Sequence, residues 1–339
     1  MKKLLVTLLK IVISVAILGY LVWNATKSEK NSNVFDQLWS QPKNWKVLAL
    51  AWAACGIAVA LTFARWWCLV RALDIPCRFR DAIRISFWGY LFNLAPLGIV
   101  GGDLVKAYML DHEHRGYRAK AIASVLVDRV IGLYVLFIVA SAAILLTGFW
   151  KLPDAFIAVT SKVTFIITGA FTVGLIMLMG PDMSEGKILR AIGRVPKVGP
   201  PLESLITAIR MYSSKPAVLL ISSLITVGVH SMFAIGCFLI AVGLPGNHLS
   251  LGSHFVVFPI SAATGVIPLA FGPFEYLLDM FYAGVSAVQG PSVLPGQGLV
   301  VALAYRLITV LIAATGIFYY LRNRREMAEV MHEVQPEAA

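Results

Sequence analysis

One unusual stretch occurs twice in this chain, as Pro96-Leu97-Gly98-Ile99-Val100-Gly101-Gly102-Asp103 and, 172 residues later, as Pro268-Leu269-Ala270-Phe271-Gly272-Pro273-Phe274-Glu275. In each copy a carboxylate follows the proline by seven positions, and an arginine (Arg129 or Arg306) follows inside an apolar segment. Helix breakers and ionisable groups are costly in hydrocarbon unless they line a cavity. The duplicated unit therefore predicts a transport site between two repeats.

Composition assigns the chain to the membrane proteins. Apolar residues make up 58% of it and charged residues 14%, and several apolar runs reach the roughly 20 residues that cross a bilayer. The fold class expected is an all-α polytopic membrane protein. The net charge of +11 comes mainly from loops on one side of the expected topology. This is the positive-inside pattern, and it argues against a nucleic-acid partner.

Six segments are long and apolar enough to be read as transmembrane helices. They are residues 4–23, 46–70, 119–148, 157–180, 216–243 and 298–321. Lys2 and Lys3 place the N-terminus in the cytoplasm, and six crossings return the C-terminus to the same side. The first segment is read as a span, because it is long for a signal peptide and has no convincing cleavage site.

Two further apolar stretches are broken by proline and glycine, and neither half of either stretch could cross alone. We expect residues 82–110 and 251–283 to form re-entrant helical hairpins. Three crossings separate them, so they would enter from opposite faces. The expected domains are a first repeat over 1–150, a second over 151–321 with a cytoplasmic linker at 181–215, and a cytoplasmic tail at 322–339. A surface helix near 201–214 is expected in the linker, with Ile206, Ile209 and Tyr212 towards lipid.

The repeated carboxylates, Asp103 and Glu275, allow two interpretations. A carboxylate in the first turn after a helix break can cap free backbone N–H groups. Alternatively, each lies at a hairpin tip near the middle of the membrane, where it binds a cationic headgroup, takes up a proton or holds an arginine. The duplication favours the second interpretation.

The arginines need partners, because an arginine at a helix centre costs roughly 2.5–3.5 kcal/mol on insertion scales. Arg129 with Asp103 and Arg306 with Glu275 are the natural pairs, although pairing across the repeats and a purely structural ion pair stay open. Arginine also suits a lipid phosphate. Asp128 lies about 100° round the helix from its neighbour, so it is expected to serve another partner or a water path.

Other polar residues receive plainer interpretations. The residues at the hairpin tips could bind an anion through backbone N–H groups, or they could simply permit a tight turn. They are Pro96, Gly98, Gly101, Gly102, Pro268 and Gly272. Lys106 is expected near the cytoplasmic headgroups, and Arg65, beside two tryptophans, is expected to be an interfacial anchor. His230 is read as a packing residue. No spacing fits a metal or cofactor site, and no catalytic motif is present.

Several of these elements together resemble a known family. They are Asn93-Leu94-Ala95-Pro96-Leu97-Gly98-Ile99-Val100-Gly101-Gly102-Asp103-Leu104-Val105-Lys106-Ala107-Tyr108, then Ser124-Val125-Leu126-Val127-Asp128-Arg129, then Pro268-Leu269-Ala270-Phe271-Gly272-Pro273-Phe274-Glu275. The chain resembles the flippase-like family named after the transmembrane region of lysylphosphatidylglycerol synthase. Pro273 departs from the family, in which a glycine is common at that place.

The resemblance implies an inner-membrane protein whose relatives move aminoacylated phospholipids between leaflets, here as a stand-alone member without their aminoacyltransferase domain. We therefore expect a lipid translocase with membrane lipids as its partners, and a homo-oligomer stays open. The alternatives are an ion- or proton-coupled transporter of a small polar solute, an intramembrane aminoacyl- or glycosyl-transferase or a membrane subunit of one, and a non-catalytic scaffold. With no catalytic signature or cofactor site, a transporter is favoured over an enzyme.

Overall fold

The computed structural model describes residues 2–26, 34–94, 99–179, 199–267, 269, 271–289 and 292–322. Within these ranges the chain is helical and contains no β-strand. The hairpin-tip residues Pro96, Gly98 and Pro268, most of the linker 181–215 and nearly all of the tail 322–339 lie outside the described residues. The predicted all-α class is confirmed.

Twelve α-helices can be numbered along the described ranges. They are α1 (Lys2–Thr26), α2 (Val34–Ser40), α3 (Trp45–Ala72), α4 (Phe79–Leu94), α5 (Ile99–Glu113), α6 (Arg118–Thr147), α7 (Ala155–Met179), α8 (Gly199–Arg210), α9 (Pro216–Gly243), α10 (Leu251–Ala263), α11 (Pro273–Gln289) and α12 (Gln297–Arg322). Two 3₁₀ turns, Phe149–Lys151 and Thr264–Val266, follow α6 and α10.

Five of the described helices, α3, α6, α7, α9 and α12, are long and apolar enough to cross a membrane. They coincide with five of the six predicted spans, so a multi-pass membrane protein is confirmed. The remaining prediction, residues 4–23, falls on α1. Val12–Trp23, within α1, is an apolar helical segment, and a span over residues 4–23 stays a prediction.

Helices α3 and α9 form the centre of the bundle and run antiparallel. Gly243, at the end of α9, lies against Leu48 near the start of α3. Gly236, earlier in α9, lies against Cys55, which is further along α3. A Cβ atom at Gly236 would be 2.6 Å from the Cys55 sulfur. Small residues therefore bring the two backbones close, which is how helices gain packing energy when lipid offers no hydrophobic drive.

The two broken stretches each form a pair of packed helices, α4 with α5 and α10 with α11. Helix α6 packs on α5 and on α10, while α12 packs on α11 and on α4. Each of these helix contacts in the first half of the chain thus has a counterpart in the second half. The helix that carries an arginine reaches across to the other broken stretch in both cases.

The predicted orientation of the linker helix is wrong. Ile206, Ile209 and Tyr212 are buried within the protein, and the Tyr212 hydroxyl donates a hydrogen bond of 2.9 Å to the Leu69 carbonyl oxygen. The apolar face of α8 packs on α6, so it is covered by protein instead of lipid.

Candidate functional site

A cavity of about 400 Å³ lies between α3, α4, α5, α6 and α9 and is closed on one side by residues 262–266. Hydrophobic and aromatic side chains form much of its wall. Its charged lining consists of Arg65, Asp103, Lys106, Asp128 and Arg129. Five charged groups around one cavity, among helices built for hydrocarbon, mark it as the candidate site.

The predicted partners Asp103 and Arg129 are in contact. Arg129 donates from Nε to one carboxylate oxygen at 2.5 Å and from Nη2 to the other at 2.9 Å, which is the bidentate geometry. Asp103 is the fifth residue of α5, beyond the first turn, so both its oxygens serve the arginine instead of capping the helix. The Arg129 side chain is 47% exposed.

Glu275 and Arg306 form the corresponding pair, at 2.7 Å between Oε1 and Nε. Here the carboxylate is fully buried, and Oε2 also accepts the Gly272 backbone N–H at 2.7 Å. Glu275 is the third residue of α11, and reaching back to the residue before the helix is the capping-box arrangement. This carboxylate therefore caps α11 and holds an arginine at the same time.

The backbone before α11 requires glycine. Gly272 has φ +114°, a conformation that L-residues with a side chain rarely adopt. The Arg306 guanidinium then lies over the rings of Phe271 and Phe274, at 5.7 and 5.2 Å from their centroids. The second arginine is thus held by a carboxylate and two aromatic faces.

A smaller cavity of about 170 Å³ adjoins the second pair and includes Arg306, Phe274 and Tyr305 in its wall. Ala262 and Gly265 line both this cavity and the larger one. The two cavities therefore lie on either side of the end of α10 and the 3₁₀ turn Thr264–Val266.

The third ion pair was not predicted. Arg65 donates from Nε to Asp128 Oδ1 at 2.7 Å and from Nη1 to Thr226 Oγ1 at 3.0 Å. Both charged residues are buried, at 5% and 6% exposure, so the expected role of Arg65 as an interfacial anchor is wrong. Its guanidinium also lies beside Gly132 on α6, where a larger residue would press on it. The expectation that Asp128 serves a partner other than Arg129 fits this geometry.

Lys106 also lies elsewhere than expected. It is 7% exposed, its ammonium lies 5.0 Å from the centre of the Trp66 ring, and it lines the cavity instead of reaching the headgroups. Its stem packs on α4, where a Cβ at Gly89 would be 2.7 Å from Lys106 Cγ. Because Gly89 lacks a side chain, a lysine fits between α4 and α5.

His230 lines the same cavity and has a ring nitrogen 2.9 Å from the Gly132 carbonyl oxygen. Of the described hairpin-tip residues, Gly102 is buried where α5 meets α4, with its carbonyl oxygen close to Gly89. Gly101 lies within the first turn of α5. No group of three or more His, Cys, Asp or Glu side chains that could hold a metal occurs in the part of the chain described here.

Comparison with known proteins identifies a family. No curated protein matches the chain. The family model described as the lysylphosphatidylglycerol synthase TM region matches residues 8–316, which include the three ion pairs described above and both broken stretches. The chain therefore belongs to the lysylphosphatidylglycerol synthase transmembrane-region family.

Proposed function

We infer that this protein is a lipid translocase of the inner membrane, in which a polar headgroup passes between two inverted repeats. The supporting observation is the charged cavity among apolar helices. Five ionisable side chains there would each cost roughly 2.5–3.5 kcal/mol at the centre of a lone helix. Moving a polar group through the bilayer explains why such groups are retained in the protein's interior.

The inverted-repeat arrangement is supported by helix direction. Equivalent helices related by an axis in the membrane plane must run antiparallel, whereas an axis along the membrane normal would make them parallel. The central helices α3 and α9 are the second helices of the two predicted spanning sets, and they are antiparallel. The helix packing is also consistent with a two-fold axis. Helix α6 of the first half packs on α10 of the second, and α12 of the second half packs on α4 of the first. The repeats would be residues 1–150 and 151–321.

In this arrangement residues 82–110 and 251–283 would form re-entrant hairpins. Arg129 is eleven residues into α6 and Arg306 nine residues into α12, so each lies roughly 14–17 Å from the start of its helix. With both termini in the cytoplasm, α6 starts at the cytoplasmic face and α12 at the outer face. The two ion pairs would then approach the middle of the membrane from opposite sides.

An apolar groove favours a lipid over a small polar solute. It has a volume of about 480 Å³ and lies between α6, α7, α8 and α9. Val127 and Ile131 line it, while Asp128 and Gly132, on the neighbouring face of α6, line the charged cavity. A groove for an acyl chain beside a cavity for a headgroup suits an amphipathic cargo, whereas a small polar solute would not occupy an apolar groove.

In this proposal the headgroup phosphate meets Arg129 first and Arg306 after passing the 3₁₀ turn Thr264–Val266, while the tails remain in lipid. Asp103 and Glu275 hold the two arginines in place. Asp128 does the same for Arg65, so that the cavity keeps its shape when empty.

The test is a headgroup-accessibility assay in liposomes containing the full chain and a fluorescent phosphatidylglycerol. Asp103→Asn and Arg306→Ala are expected to slow transfer between leaflets at least tenfold. The matched controls are Asp36→Asn and Arg115→Ala, because both residues are exposed and neither lines the cavity. Transfer at the wild-type rate in the first two variants would remove these residues from the mechanism, and solute uptake without lipid transfer would favour the solute transporter.

A further inference from the structure

We propose that the larger cavity is an anion site centred on Lys106, which takes the phosphate group of a ligand with net negative charge and disfavours a net-cationic headgroup. The proposal rests on the translocase function only for the identity of the cargo. It concerns which charge the cavity accepts, and it departs from the aminoacylated phospholipids that the family resemblance implies.

The charges around the cavity do not balance. Three cations, Arg65, Lys106 and Arg129, face two carboxylates, Asp103 and Asp128. Each carboxylate is bonded to an arginine, at 2.5 Å in one pair and 2.7 Å in the other. One positive charge is left over, and it is that of Lys106.

Lys106 has no carboxylate within 4.0 Å in the described part of the chain. The contact observed for its ammonium is the Trp66 ring. A ring face attracts a cation but carries no net charge, so the ammonium is buried without a counter-ion. A buried charge in that condition is strongly unfavourable, and an anionic ligand in the cavity would remove the penalty.

A cationic headgroup finds no carboxylate in the cavity whose charge is not already offset by an arginine. Asp103 gives both oxygens to Arg129, and Asp128 is neutralised by the equally buried Arg65. An ammonium in the cavity would therefore face Lys106 without a carboxylate of its own.

A phosphate has the donors it needs. Arg129 bonds Asp103 through Nε and Nη2, so Nη1 can serve a ligand, and Lys106 offers its ammonium. Arginine and lysine together are a common phosphate-binding set. A volume of about 400 Å³ also lies within the range of small-molecule sites, so a phosphoglycerol headgroup fits.

Among the described residues of the second half, the equivalent position carries no cation. By the 172-residue offset of the repeated stretch, the position of Lys106 corresponds to Leu278, which is fully buried in the apolar core. Arg306 is matched by Glu275, so the charges there cancel. The proposal therefore assigns one anion site to the molecule.

The experiment measures ligand binding to the purified full chain in nanodiscs by native mass spectrometry. Three lipids are compared, phosphatidylglycerol (net −1), phosphatidylcholine (net 0) and lysyl-phosphatidylglycerol (net +1), with inorganic phosphate as a competitor. We expect phosphatidylglycerol to bind at least tenfold more tightly than the lysyl form. Equal or tighter binding of the lysyl form overturns the proposal, and this comparison needs no variant.

Variants then locate the site. Lys106→Gln should lose at least tenfold in affinity for phosphatidylglycerol, Lys106→Arg should keep it within about threefold, and Lys46→Gln, at an exposed position, should not change it. Wild-type affinity in Lys106→Gln overturns the proposal. Radiolabelled phosphate entering liposomes would identify free phosphate as the source of the anion, whereas competition without entry would identify the lipid.

Binding and transfer can fail separately. Charge-selective binding without movement between leaflets would support the anion site and refute the translocase. Lipid transfer that is equally fast for all three headgroups and for Lys106→Gln would support the translocase and refute the anion site.

Discussion

The ion pairs Asp103–Arg129 and Glu275–Arg306 occupy equivalent places but differ in what surrounds them. In the first pair the arginine is 47% exposed and faces the larger cavity. In the second the carboxylate is fully buried, caps α11 and holds an arginine against two phenylalanine rings. The difference teaches that two copies of one duplicated unit can diverge in their surroundings, since the first pair opens onto the larger cavity while the second also caps a helix.

Neighbouring positions differ in the same way. Asp128 precedes Arg129, and Tyr305 precedes Arg306. Asp128 forms a buried ion pair with Arg65, whereas Tyr305 packs edge-on against Phe258 and Phe233. The first half therefore carries additional charges where the second half carries aromatic packing.

The largest effect on stability is expected from the buried pair. Asp128→Asn leaves the Arg65 guanidinium uncompensated among apolar side chains, and losing one partner of such a pair typically costs about 3–5 kcal/mol. Tyr305→Phe, at the equivalent position, removes only a hydroxyl and should cost about 1 kcal/mol or less. Thermal unfolding of the detergent-solubilised protein measures both. Similar melting temperatures for the two variants would mean that the buried ion pair of the first half contributes no more to stability than the Tyr305 hydroxyl of the second.

A double variant separates charge from packing in this prediction. Replacing both charges, as in Arg65→Met with Asp128→Leu, should recover much of the stability lost in Asp128→Asn, because apolar residues of similar volume often replace a buried pair without loss. A double variant less stable than Asp128→Asn would show that the pair contributes through specific hydrogen bonds, such as that to Thr226.

The second prediction compares the two members of the second pair. Arg306→Ala leaves the Glu275 carboxylate buried with only the Gly272 N–H, at a cost of about 2–3 kcal/mol. Glu275→Gln keeps an oxygen for that N–H and leaves an arginine that is 32% exposed and can turn towards water, so it should cost about 1 kcal/mol. Chemical unfolding in mild detergent measures the order. The reverse order would mean that the arginine, not the carboxylate, is the buried charge.

Long apolar runs made most of the fold predictable. The predicted span 216–243 coincides with α9, and 119–148 is displaced from α6 by one residue at each end. Hydrocarbon forces every backbone group into helical hydrogen bonds over such a run, so few alternatives compete. The carboxylate–arginine pairs were also foreseeable, because the seven-residue spacing from proline to carboxylate is repeated and an arginine follows each copy inside an apolar segment, 26 residues on in the first and 31 in the second.

The remaining site residues could not be placed from local spacing. Arg65 stands beside Trp66 and Trp67, a pattern that is typical of a membrane interface, yet its partner Asp128 is 63 residues away. The single sequence signal was that Asp128 lacked a partner on its own helix. Lys106 required knowledge of how closely α4 approaches α5 at Gly89, a tertiary contact that periodicity does not encode.

The smallest effect on stability is expected at the exposed pair, and it sharpens the comparison most. Asp103→Asn keeps an oxygen that can accept a hydrogen bond from Arg129, and the Arg129 side chain is 47% exposed towards the cavity, so the change should cost about 1 kcal/mol or less. Its melting temperature should therefore stay within a few degrees of the wild type, although its lipid transfer is slowed at least tenfold. Arg306→Ala should lose both stability and transfer. Measuring the two properties on the same preparations distinguishes a pair that serves the cargo from one that also holds the fold, and a strongly destabilised Asp103→Asn would mean that both pairs are structural.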